Sequence, residues 1–252
     1  MVSDYKLLKG KTAVITGCNR GIGKAILERF AATGADVFAC ARKEETGFTK
    51  IIRRFSAKYS VNIIPVYFDA RNMDEMKGAV KTIRDSKKSV DVLVNNAGIG
   101  YGALFQMSTQ DKLKEVFEVN FYSPFIFTQY LIRLMVRQKS GNIINISSTA
   151  GIDGIRGKSV YGASKAALIN MTKVIAAELA DSGIRANCIA PGLTETDMIS
   201  LLPVEVISGN IHSGVSPVIL KPLVIADAAV FLASDLSSAI SGQVIRVDGG
   251  MQ

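Results

Sequence analysis

Short β-branched apolar runs alternate along the chain with longer segments whose apolar residues recur at helical spacing. The short runs predict strands at residues 12–16, 37–40, 62–67, 92–95, 142–147, 185–189 and 243–247. The longer segments predict helices over residues 22–33, 44–58, 73–86, 110–138, 160–182 and 226–233, several of them followed by a glycine, as at Gly34, Gly141 and Gly183. An unbroken alternation of strand and helix implies parallel strands joined by right-handed crossovers, with helices on both faces: a doubly wound α/β sheet. No linker, fixed-period repeat or low-complexity tract interrupts the pattern, so residues 1–252 read as a single domain. One stretch departs from it. Residues 192–222 carry Pro, Gly, Ser and apolar residues without clean period. The stretch follows the sixth strand at its carboxyl end, where such sheets bind ligands, and its part near 193–217 is expected to act as a substrate lid.

Composition narrows the class further. Of 252 residues, 48% are apolar and 21% charged, enough for a globular core and too ordered a mixture for a disordered chain. Apolar stretches are broken well before the roughly 18 residues a membrane helix needs, so no membrane span is expected. The residues from Met1 to Lys6 have no basic-then-apolar leader, which points to a soluble protein of the cytoplasm. Cys18, Cys40 and Cys188 form no C-x-x-C pair and lie in apolar surroundings that suit reduced, buried thiols. With His212 the one histidine, no metal site is expected. The net charge of +8 suits an acidic partner. Because Lys and Arg are scattered, with no basic run interleaved with aromatics, nucleic acid is not an expected partner.

The first strand runs into Thr16-Gly17-Cys18-Asn19-Arg20-Gly21-Ile22-Gly23 and then the amphipathic segment that begins at Lys24. Three glycines between a strand and a helix allow a tight turn, close approach to a pyrophosphate and close packing of helix on strand, while the helix amino terminus faces the anion. This is a dinucleotide cradle. Its identity depends on the end of the second strand, where an NAD site carries an acid for the ribose 2′-hydroxyl and an NADP site carries cations for the 2′-phosphate. The strand ends in Ala41-Arg42-Lys43 with no acid; Asp36 lies at its opposite end, and Glu44 and Glu45 are expected to begin the next helix. Arg42, with Arg20 from the glycine loop, is expected to clamp the phosphate, which favours NADPH (NADP+) over NADH; the competing reading leaves both arginines as solvated surface charges.

Tyr161 and Lys165 lie one helical turn apart on one face of the fifth predicted helix. An ammonium near a phenol favours phenolate and moves the phenol toward a useful general acid. The fifth strand ends in Ser147-Ser148 at the carboxyl edge, so a serine hydroxyl is available to a carbonyl oxygen while Tyr161 supplies the proton. The pleat sends consecutive residues to opposite faces, so only one of the two serines can do this.

With these motifs in place the chain resembles the short-chain dehydrogenase/reductase family over nearly its whole length. The resemblance rests on Thr16-Gly17 with Gly21-Ile22-Gly23, Asn95-Asn96-Ala97-Gly98, Asn120, Ser148, Tyr161 with Lys165, and Pro191-Gly192 followed by Thr194. It implies a Rossmann-like sheet of strand order 3-2-1-4-5-6-7. It further implies that Tyr161 is the general acid/base, that Ser148 orients the carbonyl, that Lys165 holds the nicotinamide ribose and lowers the Tyr161 pKa, and that Asn120 positions a water in the proton relay. Asp69 would contact adenine, Asn96 with its neighbours Ala97 and Gly98 would form the cofactor wall, and backbone near Ile189, Pro191, Gly192 and Thr194 would approach the nicotinamide. Within the family the chain is most similar to 3-oxoacyl-acyl-carrier-protein reductases, through its length and its Val247-Asp248-Gly249-Gly250-Met251 ending. Those reductases carry basic residues beside the entrance for the acidic carrier; Lys139 matches one such place and Ser182 departs from another. A homotetramer is implied too.

The expected activity is NADPH-dependent reduction of a ketone, a 3-oxoacyl thioester ahead of others. The alternatives are oxidation of a steroid, sugar or polyol, and a non-catalytic dinucleotide-binding protein. Substrate choice is expected in segment 99–105, loop 152–158 and the lid, through Leu104, Ile152, Ile155, Met198, Leu201 and Leu202.

Overall fold

The computed structural model describes residues 6–197 and 219–250. Seven parallel strands form one sheet in the order β3-β2-β1-β4-β5-β6-β7, as expected. They are β1 (Thr12–Thr16), β2 (Asp36–Ala41), β3 (Ile63–Tyr67), β4 (Val92–Asn95), β5 (Gly141–Ile146), β6 (Ile184–Pro191) and β7 (Val244–Val247). The helices are α1 (Gly21–Ala32), α2 (Thr46–Tyr59), α3 (Met73–Asp85), α4 (Gln110–Phe117), α5 (Ser123–Gln138), α6 (Ser159–Glu178) and α7 (Pro222–Ala233).

The pleat divides the apolar side chains between two cores. Ala13 and Ile15 of β1, with Val37, Ala39 and Ala41 of β2, face Ile26, Phe30, Phe48, Phe55 and Val230 on one side. Val14, Phe38 and Cys40 face Met76, Ile83, Phe127, Leu131 and Leu168 on the other. The three cysteines are free and buried; burial pushes the thiols of Cys18, Cys40 and Cys188 up, that of Cys188 to about 11.

One predicted element divides. In place of a single helix over residues 110–138, α4 gives way to a π-helical segment, Glu118–Tyr122, before α5 begins. Pro124 explains the break. It has no N–H to donate to the carbonyl four residues back, and the backbone widens ahead of it. The other differences are at ends. Residues 44 and 45 precede α2 and do not open it, and the sixth helix gives way after Glu178 to a 3-10 turn, Ala180–Ser182. The final helix starts earlier than the periodicity suggests, with Pro222 in its first turn.

A string of polar side chains crosses the second core and fixes the helices that bear the candidate site. Asn95 Nδ2 donates to Thr128 Oγ1 of α5 at 2.8 Å and to Asn145 Oδ1 at 2.8 Å. Asn145 Nδ2 in turn donates to Thr172 Oγ1 of α6 at 2.7 Å. All four residues are buried. Asn145→Ala leaves polar partners on both sides without water, and it should cost about 2 kcal/mol. A lower urea midpoint with an unchanged slope, relative to the parent chain, is the expected outcome.

Candidate active site

β1 ends at Thr16 and the chain turns through Gly17, at φ +72°, into α1. A Cβ on Gly23 would sit 2.1 Å from the Gly17 carbonyl oxygen and 2.4 Å from Asn96 Nδ2, so only glycine lets α1 approach the loop this closely. The loop is braced from β4. Asn96 Nδ2 donates to the carbonyls of Thr16 at 2.9 Å and Gly17 at 3.2 Å, and the N–H groups of Asn96 and Ala97 each donate to Thr16 Oγ1 at 3.0 Å. No side chain caps α1. Its first N–H groups, beside Asn19, Gly21 and Ile22, therefore face outward, as a phosphate site requires.

At the end of β2, Arg42 is exposed and close enough to Asp69 to act on it. Hydrogen bonds from Arg71 hold the Asp69 carboxyl down at about 2 against the opposing effect of burial, and the Arg42 charge adds to them. Arg71 Nε and Nη2 reach Asp69 at 3.0 and 2.7 Å. Arg20 pairs with Asp197 at 3.3 Å. Arg71 shares Asp69 with Arg42, and sequence reasoning missed it. Its signal was the spacing Asp69-x-Arg71, a local carboxylate–guanidinium pair. Asp36 lies at the amino end of β2, where burial raises its carboxyl but hydrogen bonds from Lys88 and Asn62 outweigh it and lower the net value.

β5 delivers the two serines, and the structure separates their tasks. Ser147 Oγ is buried and donates to the Lys165 carbonyl at 2.9 Å. Ser148 is partly open, accepts from Ala150 N–H at 3.2 Å and is hydrogen-bonded to the Tyr161 phenol. α6 carries Tyr161 and Lys165 together as expected. Lys165 is 4% exposed, and its Nζ lies 5.9 Å from the Tyr161 ring centroid and donates to the Ile146 carbonyl at 2.9 Å. Burial pulls this ammonium down to about 8.

The expected lowering of the Tyr161 pKa is not what the site displays. Burial raises the phenol, and the Ser148 hydrogen bond only partly opposes it. Lys165 is itself desolvated and committed to Ile146, so it leaves the direction unchanged.

Asn120 sits in the π-helical segment, fully buried. Its Oδ1 accepts from Ile99 N–H at 2.8 Å, and its Nδ2 donates to the Ile99 carbonyl at 3.0 Å and to Ser164 Oγ at 3.1 Å. Ser164 Oγ donates on to the Tyr161 carbonyl at 2.7 Å. A Cβ on Gly98 would lie 3.1 Å from Asn120 Oδ1 and 3.3 Å from Lys165 Nζ, so these two groups and the β4 loop converge on one point. Ser164, adjacent to Lys165, is a second participant that periodicity did not single out.

The segment after β6 returns over the cradle. Gly192 N–H donates to the Val247 carbonyl at 2.9 Å, Thr194 is buried with its hydroxyl on the Gly192 carbonyl at 3.0 Å, and Thr196 lies 3.3 Å from where a Gly21 Cβ would be. Pro191 is the last residue of β6. The two ends of the expected lid are joined, Glu195 N–H to the Leu220 carbonyl at 2.8 Å and Leu220 N–H to the Leu193 carbonyl at 2.9 Å. Met198, Leu201, Leu202 and His212 lie outside the described residues.

The glycine cradle, the arginine-marked end of β2 and the Ser148–Tyr161–Lys165 group lie along one edge of the sheet, its carboxyl edge. Against known families, the profile described as short chain dehydrogenase matches residues 11–203. The chain belongs to the short chain dehydrogenase family. It is 36% identical over 244 residues to a 3-oxoacyl-acyl-carrier-protein reductase of Aquifex aeolicus, an alignment that covers 97% of this chain and 98% of that protein. Among solved structures it is similar to a 3-oxoacyl-acyl-carrier-protein reductase with bound NAD from Brucella melitensis, at TM-score 0.88 and 30% identity over 98% of this chain and 93% of the other. It is also similar to a putative gluconate dehydrogenase from Agrobacterium tumefaciens, at TM-score 0.92 and 29% identity over 98% and 97%. The short chain dehydrogenase described here is a nicotinamide-dependent oxidoreductase acting on CH–OH and C=O groups. Among the described residues no helix is long and apolar enough to cross a membrane.

The cradle gives a direct test. Gly23→Ala should weaken nicotinamide dinucleotide binding at least about tenfold, because the added methyl must displace the Gly17 carbonyl that shapes the loop. Gly47→Ala, where nothing lies within 4 Å, serves as the control in a fluorescence titration and should leave the affinity unchanged.

Proposed function

We propose that this dehydrogenase uses NADPH to reduce the ketone of a 3-oxoacyl thioester to a secondary alcohol: ketone, NADPH and a proton give alcohol and NADP+. The observation that carries the reading is the grouping of a Ser148-bonded, protonated Tyr161 phenol with the buried ammonium of Lys165. The bound dinucleotide supplies the hydride; the chain's own residues do the rest. Gly17, Asn19, Gly21, Ile22 and Gly23 form the pyrophosphate cradle, and Asn96, Ala97 and Gly98 form the cofactor wall. Arg42 receives the 2′-phosphate, with Arg20 as a further cation at the loop. Asp69 borders the adenine, and Pro191, Gly192 and Thr194 border the nicotinamide end. Ser148 donates a hydrogen bond to the substrate carbonyl oxygen and Tyr161 donates the proton to that oxygen. Lys165 holds the ribose hydroxyls and stabilises the phenolate left behind, and Asn120 orders the water that reprotonates it. A raised phenol pKa suits this direction, because the acid stays loaded at neutral pH.

Arg42 beyond β2 and the absence of an acid there support NADPH over NADH. Similarity to reductases named for acyl-carrier-protein substrates supports a carrier-linked acyl chain, and no nucleic-acid or membrane partner is proposed. A homotetramer in the cytoplasm is the proposed working form, supported by the exposed apolar residues Leu113, Tyr122 and Phe125 of the α4–α5 region and Val174 of α6.

Tyr161→Phe should lower kcat for a 3-oxoacyl thioester about a thousandfold while NADPH binding stays within about threefold of the parent. Turnover unaffected by the change removes Tyr161 as proton donor. Arg42→Ala should raise the KM for NADPH at least about tenfold and leave that for NADH nearly unchanged, and equal effects on the two remove the 2′-phosphate assignment. In the parent, reduction should hold steady from about pH 6 to about pH 7 and fall as Lys165 loses its proton at about 8, whereas oxidation of the product alcohol should climb with pH over the neutral range as phenolate forms. Steady-state rates in both directions check this.

A further inference from the structure

Tyr161 has a second ammonium beside it. Lys158 Nζ lies 5.9 Å from the Tyr161 ring centroid, the same separation as Lys165 Nζ. Unlike Lys165, it belongs to the substrate-side loop 152–158, where it packs against segment 99–105. The Gly157 carbonyl accepts from Ala103 N–H at 3.0 Å, and a Cβ on Gly102 would lie 3.4 Å from Lys158 Nζ. Lys158 is partly buried, and that burial lowers its pKa. Among the described residues it makes no ion pair or hydrogen bond through its ammonium.

The loop's own charge pattern keeps it so. Asp153 is the one acid between residues 152 and 158, and Arg246 of β7 takes it with two hydrogen-bonded contacts, Nη1 to Oδ1 at 3.0 Å and Nη2 to Oδ2 at 2.9 Å. Arg246 is anchored in turn on the buried Asp248, with Nε to Oδ2 at 2.7 Å. Segment 99–105 has no charged residue. The one acid of the loop is thus committed to Arg246, and Arg156 adds a second cation. Beside this positive mouth stand exposed Ile152, Ile155 and Phe105. A desolvated cation with no counter-ion among the described residues, next to apolar surface, matches a ligand with an anionic head and an apolar tail.

We propose that Lys158 forms a carboxylate subsite beside Tyr161, so that the enzyme takes free 3-oxo acids as well as 3-oxoacyl thioesters. A ketone oxygen that accepts from the phenol brings a carboxylate two bonds along the chain to the end of the cleft that Lys158 occupies, and the tail then runs over Ile152 and Ile155. Arg246 acts as a positioning residue by holding Asp153 off the site. The subsite rests on the reading of Tyr161 as the proton donor.

The test compares 3-oxobutanoate with its methyl ester as substrates of the full-length enzyme with NADPH. Lys158→Gln should reduce the acid-to-ester ratio of kcat/KM at least about tenfold, through KM for the acid, and Lys158→Arg should restore most of it. Calorimetric titration of 3-oxobutanoate into the enzyme–NADP+ complex should show the same loss of affinity in Lys158→Gln, whether or not turnover is seen. An unchanged ratio or an unchanged dissociation constant overturns the subsite. Failure of the parent to reduce either compound or a 3-oxoacyl thioester, with binding still dependent on Lys158, overturns the reductase reading and leaves the subsite standing.

Discussion

The site is organised around a lysine that water does not reach. Lys165 is buried beneath the end of β5, with its ammonium on the Ile146 carbonyl and its own carbonyl on the Ser147 hydroxyl. Moving a lysine from its ordinary range to about 8 costs roughly 3 kcal/mol at neutral pH. The sign follows from proton binding: the unfolded chain holds this proton more tightly, so the penalty is full below about 8 and fades as pH rises toward the ordinary lysine value. A fold that tolerates this expense holds a positive charge in a dry place, next to a phenol that can become negative. The same charge in water would be worth little.

The architecture around it is arranged to keep that charge in position. The Thr128–Asn95–Asn145–Thr172 string ties α5 and α6 to the middle of the sheet, and Asn120 with Ser164 ties the loop after β4 to α6. Asn96 does the same for the glycine loop. Polar side chains therefore stitch the carboxyl edge, while the two apolar cores supply the bulk of the stability.

How much of this was legible differs from element to element. The seven strands were readable because parallel strands buried on both faces are written as unbroken β-branched runs, and the glycine cradle because Gly17 and Gly23 meet steric demands no other residue satisfies. Tyr161 and Lys165 were readable through helical spacing. What could not be read depended on contacts between distant segments. Pro124 marked the break near Asn120, but the apolar period on either side hid it. Ser147 and Ser148 were separable only once the Lys165 carbonyl was seen to take one of them. Arg71 was missed beside Arg42 because the two meet only through Asp69, across two strands. The upward direction of the phenol reflects burial, which local spacing does not report.

The most direct measurement is the titration of Lys165 itself in the cofactor-free enzyme, by carbon-13 NMR of lysines labelled at Cε, with Lys165→Met to assign the signal. One resonance titrating near about 8 and missing from the variant is the predicted result. A spectrum in which every lysine titrates in the ordinary range would mean the ammonium is solvated, and the account of how Tyr161 is served would be wrong.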